Sequence, residues 1–179
     1  MTSSQTGPSQ ALIQHMAAIN RLNLKAFSAK NKQALIFIIL NDTIQAARYD
    51  RAVLWGMQGN KPRILGVSGQ TAVNKDAQLT KQWQALAEGL TTPNKAGLLN
   101  ASSFNTEAEP TWRQFHEQTN SQVIWLPIFS DEELVLGLWL ESFGKPAEGE
   151  IVDESIKFLS NYLTPAYGSA WKKLTPSFK

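Results

Sequence analysis

The stretch from Gln122 to Glu141 constrains this chain more than any other. Val123-Ile124-Trp125-Leu126-Pro127-Ile128-Phe129 and Leu134-Val135-Leu136-Gly137-Leu138-Trp139-Leu140 are two apolar runs, separated by a polar turn at Ser130 to Glu132. Each has the length of a strand, and a turn this short joins strands only as an antiparallel hairpin. Neither run alternates cleanly between apolar and polar. Strands that are apolar on both faces must be covered on both faces, and in an antiparallel hairpin sheet the covering layers must be helices. The pattern predicts a three-layer α+β domain with its irregular part over one face, where a cavity can form.

Candidate covering helices lie at both ends. Leu12, Ile13, Met16, Ile19 and Leu22 recur at helical spacing, from Ser9 as an N-cap to near Phe27. A second helix is expected from Asn31 to about Ala47; its Leu35 to Leu40 run is apolar all round and so buried on more than one side. Near the C-terminus a helix starting at Glu148 or Glu150 carries Ile151, Ile156, Leu159, Tyr162 and Leu163, and Pro165 should kink or divide it. These helices are assigned to one face of the sheet. Residues 70 to 120 are assigned to the other. They hold a helix from Ala77 to Glu88 capped by Asp76, a short strand at Gly97 to Ser102, and a short helix opened by Pro110. A further hairpin, Arg51 to Met57 with Arg63 to Ser68 around Gln58-Gly59-Asn60, brings the expected sheet to five or six strands. The expected division is a disordered tail at 1–8, an N-terminal helix at 9–30, the domain proper at 31–173 and a tail at 174–179.

Composition closes off several function classes. Lys and Arg outnumber Asp and Glu by only 17 to 15, too small an excess for a nucleic-acid footprint. Cysteine is absent, which removes disulfides, thiolate metal sites, cysteine nucleophiles and thioether-linked chromophores together. Met1 to Ser9 has neither the basic nor the apolar region of a secretory signal. The longest apolar run, Leu35 to Leu40, falls far short of the ~20 residues that cross a bilayer. The expectation is a cytoplasmic domain with no membrane span.

The same residues resemble a GAF domain. The likeness is carried by the apolar-Pro-apolar triplet Leu126-Pro127-Ile128, the charged turn Asp131-Glu132-Glu133, the apolar-Gly-apolar strand Leu136-Gly137-Leu138 closing in Leu140-Glu141-Ser142, and the acidic helix start at Glu148 and Glu150. Upstream, Tyr49-Asp50-Arg51-Ala52-Val53-Leu54-Trp55 is similar to the family's entry into its first strand. The resemblance spans Lys32 to Trp171 and implies a sensor or regulatory module rather than an enzyme. Bilin attachment and methionine-sulfoxide reduction both need a cysteine in this family, and there is none. Asn74-Lys75 and Phe129-Ser130-Asp131-Glu132 echo the cyclic-nucleotide constellation, but the Phe-to-Asp spacing is wrong. The Val53-Leu54-Trp55 and Leu138-Trp139-Leu140-Glu141 segments also resemble the GAF-like region that precedes the anchor in membrane-fusion proteins of hemolysin-D-type export systems.

Catalytic chemistry finds no foothold. His15 and His116 lie on separate helices without carboxylates at metal-ligand spacing, and His15 reads as a surface residue. No Ser-His-Asp order, Gly-rich phosphate loop or His-Glu-x-x-His motif is present. Neither a metal nor a cofactor is expected. Six tryptophans are the notable feature. By strand parity Val53 shares a face with Trp55, Val123 with Trp125, and Val135 with Trp139. If those faces coincide, Trp55, Trp125 and Trp139 floor a cavity that Trp112, Phe115 and His116 could roof, suited to a flat or apolar ligand. Gly137 suggests the close approach of a bulky neighbour, Trp55 or Trp125. Two functional classes stand: a small-molecule sensor that signals through its terminal helices, and a ligand-free dimerisation or docking module using those helices. A homodimer is expected through the apolar stripes of Leu12, Ile13, Met16 and Ile19 and of Ile156, Leu159, Tyr162 and Leu163. An open aromatic cavity favours the sensor and a packed one favours the module.

Overall fold

The late hairpin forms the middle of the sheet, as its doubly apolar strands require. A computed structural model describes residues 6–58, 61–70, 73–74, 77–144 and 149–176, with backbone alone for 6–9 and 149–152. Strand β4 (Ser121–Ser130) pairs with β5 (Glu133–Phe143) from Ser121↔Phe143 to Ser130↔Glu133. The turn between them is closed by Asp131 and Glu132, both at positive φ (51° and 68°). Two left-handed residues match the twist of a two-residue hairpin. Strand β1 (Arg51–Gln58) pairs with β5 on its other side, and β2 (Lys61–Val67) pairs with β1. A two-residue β3 (Gly97–Leu98) pairs with Ile124 and Trp125. The sheet is wholly antiparallel, in the order β2-β1-β5-β4-β3, so it has five strands.

Helices cover the two faces as the pattern demanded. One layer holds α1 (Thr6–Ser28), α2 (Lys32–Phe37), α5 (Gly149–Tyr162) and α6 (Thr164–Leu174). Leu22, Leu35, Ile39, Leu159, Leu163 and Tyr167 from that layer pack with Leu54, Leu126, Ile128, Leu136 and Leu138 from the sheet. The opposite layer holds α3 (Gln78–Glu88) and α4 (Glu109–Thr119), whose Trp83, Leu86, Trp112 and Phe115 meet Val53, Trp55, Val123, Trp125 and Trp139. The helical layer approaches closely at one glycine. A Cβ on Gly168 of α6 would stand 1.9 Å from the Phe129 carbonyl oxygen. At that point α6 lies directly on the end of β4.

Several local expectations are corrected. The first helix begins at Thr6, not Ser9, and Pro8 stands within its first turn, where no N–H is required; residues 1–5 of the expected tail lie outside the described residues. The helix expected from Asn31 to Ala47 keeps its Asn31 cap, whose side chain accepts from the Ala34 N–H at 2.8 Å. After Phe37, however, it widens to a π turn over Ile38–Asp42 and tightens to a 3-10 turn over Thr43–Gln45. A widened turn leaves backbone carbonyls in need of donors, and side chains supply them. Thr43 Oγ1 donates to the Ile39 carbonyl at 2.6 Å, and Tyr49 Oη donates to the Leu40 carbonyl at 2.7 Å. Tyr167 of α6 bonds the same Thr43 hydroxyl at 2.8 Å. Burial raises the pKa of both tyrosine hydroxyls well above the ordinary value, although the Thr43 hydrogen bond pulls the other way at Tyr167.

Only Gly97–Leu98 of the expected Gly97–Ser102 strand pairs, and Ala101–Ser103 is a 3-10 turn. The second strand starts at Lys61 rather than Arg63. Pro165 does divide the last helix, which breaks at Leu163 and restarts with Pro165 in its first turn. The Gly59-Asn60 turn, the Asp76 cap, Lys75, Glu148 and residues 177–179 lie outside the described residues.

Candidate functional site

The aromatic face follows from strand pairing. Trp55 of β1 stands opposite Gly137, and Trp125 of β4 stands opposite Trp139 of β5. That register sets the three indoles on one face around a residue without a side chain. A Cβ at Gly137 would lie 2.0 Å from the Trp125 ring, so this glycine is the seat of that indole, one of the two neighbours expected for it. Parity fails at one position. The pairing of β4 with β5 shifts between Ile128 and Phe129, and Val135 packs on the helical face, opposite to Trp139.

The residues expected to line a cavity come together, with one exception. Trp55, Trp125, Trp139 and Phe115 have no exposed surface, and Trp112 keeps 5%. Phe115 and Trp112 meet the Trp139 ring edge-on at 6.0 and 6.5 Å. Trp112 also stacks on Phe104 at 5.0 Å. These rings pack against one another in the space between sheet and helices. His116 stands on the exposed side of α4, with its ring 5.7 Å from Trp112. His15, expected at the surface, is half-buried. It stacks on Phe158 at 4.4 Å and its Nε2–H donates to the Ala46 carbonyl at 2.8 Å, a structural tie between α1 and the chain before β1.

A polar cluster that no motif announced lies within this aromatic layer. Glu141 is fully buried. Its Oε1 accepts from the indole N–H groups of Trp83 at 2.8 Å and Trp139 at 2.9 Å, and its Oε2 accepts from Arg51 Nε at 2.6 Å and Nη2 at 2.5 Å. The Arg51 guanidinium also lies over the rings of Trp83 (4.9 Å) and Phe143 (5.0 Å). A buried carboxylate needs a cation and several donors to persist, and all are present. The signal was available in sequence. Glu141 is two residues beyond Trp139 in a strand covered on both sides, and Arg51 opens the strand that pairs with it. What sequence could not supply was the β1–β5 register that sets Arg51 opposite Glu141.

The two other indoles on the strands differ. Trp125 Nε1 donates to the Pro93 carbonyl at 2.8 Å, tying the loop before β3 to the sheet. Trp55 Nε1 is buried without a partner. At the edge of this layer Met57, Ala87, Leu90, Pro93 and Leu134 line an open recess of about 420 Å³. Among the described residues, no three His, Asp or Glu side chains come together in a way that could hold a metal ion. No helix of the described residues is long and apolar enough to cross a membrane.

Comparison with known proteins gives the architecture its place. No protein-family model matches the sequence, and no curated protein matches it. Solved structures do match, over nearly the whole chain. The A. aeolicus nlh2 GAF domain in an inactive state is 14% identical with a TM-score of 0.59, covering 91% of this chain and 98% of its own. The phycoerythrobilin-bound GAF domain of a cyanobacterial phytochrome is 9% identical with a TM-score of 0.57, covering 91% and 99%. The GAF domain of an Acinetobacter phosphoenolpyruvate-protein phosphotransferase is 11% identical with a TM-score of 0.55, covering 92% and 97%. At these identities the likeness is one of architecture: the chain has the fold of a GAF domain.

Proposed function

We propose that this chain is a non-catalytic regulatory domain that acts as a docking or dimerisation module through its terminal helices, without a small molecule among its tryptophans. The observation that carries the reading is the filled aromatic layer. Trp55, Trp125, Trp139 and Phe115 have no exposed surface, and Glu141 takes up the N–H groups of two indoles. A ligand seated there would have to displace a ring or break a buried ion pair. The outer side of the sheet's other cover, by contrast, keeps large apolar side chains in solvent. An attachment to an export assembly, as the hemolysin-D-type resemblance implies, is one setting in which such a module would act. Native mass spectrometry of the purified protein tests the reading. The expected masses are those of the bare polypeptide or its multiples; a bound small molecule released on denaturation overturns it.

A second reading, the small-molecule sensor, is favoured by one observation. The unpartnered Trp55 indole N–H could donate to an acceptor on a ligand, and the 420 Å³ recess begins at Met57, two residues along the same strand. On that reading a retained ligand would be lost in Trp55→Phe while the fold persists.

A further inference from the structure

Gly56 leaves a gap in the helical face of the sheet. It stands opposite Leu136 of β5 and Arg63 of β2, and residues opposite each other in antiparallel strands share a face. The pairing of β1 with β2 skips Leu65, a bulge that turns this side chain to the same face beside the glycine. A Cβ on Gly56 would stand 3.2 Å from both Leu65 methyl carbons. The helices do not close over the gap. Ile36 of α2, Trp171 of α6 and Val135 of β5 pack against the helical-face core, yet each is only half-buried. With Gly56 and Leu65 they line an open recess of about 350 Å³, within the ~300–1,000 Å³ of small-molecule sites.

The charge at its rim has one sign. Lys32 and Arg63 line the recess from α2 and β2, and no Asp or Glu does. Lys32 Nζ is held 4.4 Å from the centre of the Trp171 ring, and Arg63 is exposed. Among the described residues neither cation has a carboxylate partner. We infer that this recess binds a small organic oxyanion with an apolar body. The Arg63 fork takes the head, a carboxylate or a phosphate, in paired hydrogen bonds. Lys32 adds a second charge; the indole occupies one side of its ammonium and leaves donors for the ligand. The body lies over Gly56 against Leu65 and Val135, whose open surface it removes from water. The site is on the opposite face of the sheet from Trp55, Trp125 and Trp139, so the inference goes beyond the docking reading and does not rest on it. Its mouth is open, so the ligand exchanges with solution and leaves the purified chain bare.

The test uses the full chain and two probes, octanoate and octyl phosphate. In two-dimensional NMR titrations the Gly56 amide and the Trp171 indole N–H are expected to shift saturably with at least one of them. Acetate, which lacks the body, and octanol, which lacks the charge, should each bind at least about tenfold more weakly. Arg63→Gln should weaken binding of the acid by about tenfold or more. Its remaining resonances should stay in place, because Arg63 is exposed. No saturation by either acid up to about 10 mM, octanol binding as tightly as the acids, or Arg63→Gln binding like the wild type overturns the assignment. So do shifts centred on Trp55 and Trp139, which would support the sensor reading instead, and capture by phosphatidylglycerol vesicles when neither free acid binds. A small molecule retained in native mass spectrometry sinks the docking reading and leaves this one standing. A bare native mass with no response to either acid does the reverse.

Discussion

The two faces of one sheet are held by different physics. On the helical face, Leu54, Leu126, Ile128, Leu136 and Leu138 meet aliphatic side chains from α1, α2, α5 and α6, and burial of apolar surface supplies the attraction without fixing direction. On the aromatic face the rings arrive with donors attached, and their placement is directional. Trp83 and Trp139 are aimed at one carboxylate oxygen, and Trp125 at the Pro93 carbonyl. The lesson is that the irregular side of the domain, with its short helices and loops, is the side whose geometry is most tightly specified. The regular side, built from long helices, relies mainly on shape, with the hydroxyls of Thr43, Tyr49 and Tyr167 as its directional ties.

If that contrast is right, the largest loss should come from the centre of the directional network. Glu141→Leu removes the partner of Arg51 and the acceptor of two indoles together. Breaking a buried pair costs about 3–5 kcal/mol, and Arg51 keeps 22% of its side chain in solvent, so chemical denaturation should show a loss near the lower end of that range or an unfolded chain. Adding Arg51→Met should recover part of it. A loss below 1 kcal/mol for the single variant would mean that the aromatic face is held by packing alone.

The next largest effects test close approach on each face. Gly137→Ala drives a methyl into the fully buried Trp125 ring, and Gly168→Ala drives one into the Phe129 carbonyl. Overpacking of this kind costs about 1–3 kcal/mol or more. A ring can tilt while a backbone carbonyl in a paired strand cannot, so Gly168→Ala should be the costlier of the two. Thermal unfolding of both variants decides the order. The opposite ranking would make the aromatic face the less yielding one.

The smallest effect concerns the hydroxyls of the helical face. Tyr167→Phe removes one hydrogen bond to Thr43 and should cost about 1 kcal/mol. Because burial raises the folded-state pKa of Tyr49 and Tyr167, the stability they contribute is complete below the unfolded value of 10.0 and falls as pH rises from there towards the folded values. Stability should decline above about pH 10, and less steeply in Tyr167→Phe. A pH-independent stability difference between wild type and variant up to pH 11 would count against burial as the cause.

Sequence reading recovered what depends on local pattern. Doubly apolar strands gave the central hairpin, the need for two covers and the sides from which they come. Gly137 pointed to a bulky neighbour because a strand interior tolerates glycine only for cause. What escaped was non-local or a matter of one residue's register. Arg51 and Glu141 are ninety positions apart, and their pairing follows only from the β1–β5 alignment. The slip beside Phe129 turned Val135 to the other face, and nothing in Leu134-Val135-Leu136 distinguishes a bulge from a plain strand. Likewise the apolar run at Leu35 to Leu40 reads as one helix, since the tyrosines that stabilise its widened turn come from elsewhere in the chain. The expected aromatic residues Trp55, Trp112, Phe115, Trp125 and Trp139 share one buried cluster, but periodicity does not tell a cavity wall from a plug; that depends on how far the rings reach across.

The contact between Gly168 and the Phe129 carbonyl has a mechanical consequence. Sliding α6 along its axis by a full turn would bring Thr164 or Lys172, which share the face of Gly168, onto an oxygen that leaves no room even for a methyl. On a push along α6 the contact would resist translation more than rotation about that point. A push on the C-terminal end of α6 would therefore emerge at its other end, near Leu163, as a swing in the opposite sense. A lever with its fulcrum inside the domain reverses direction, so the joint between α5 and α6 would move against the segment that follows α6.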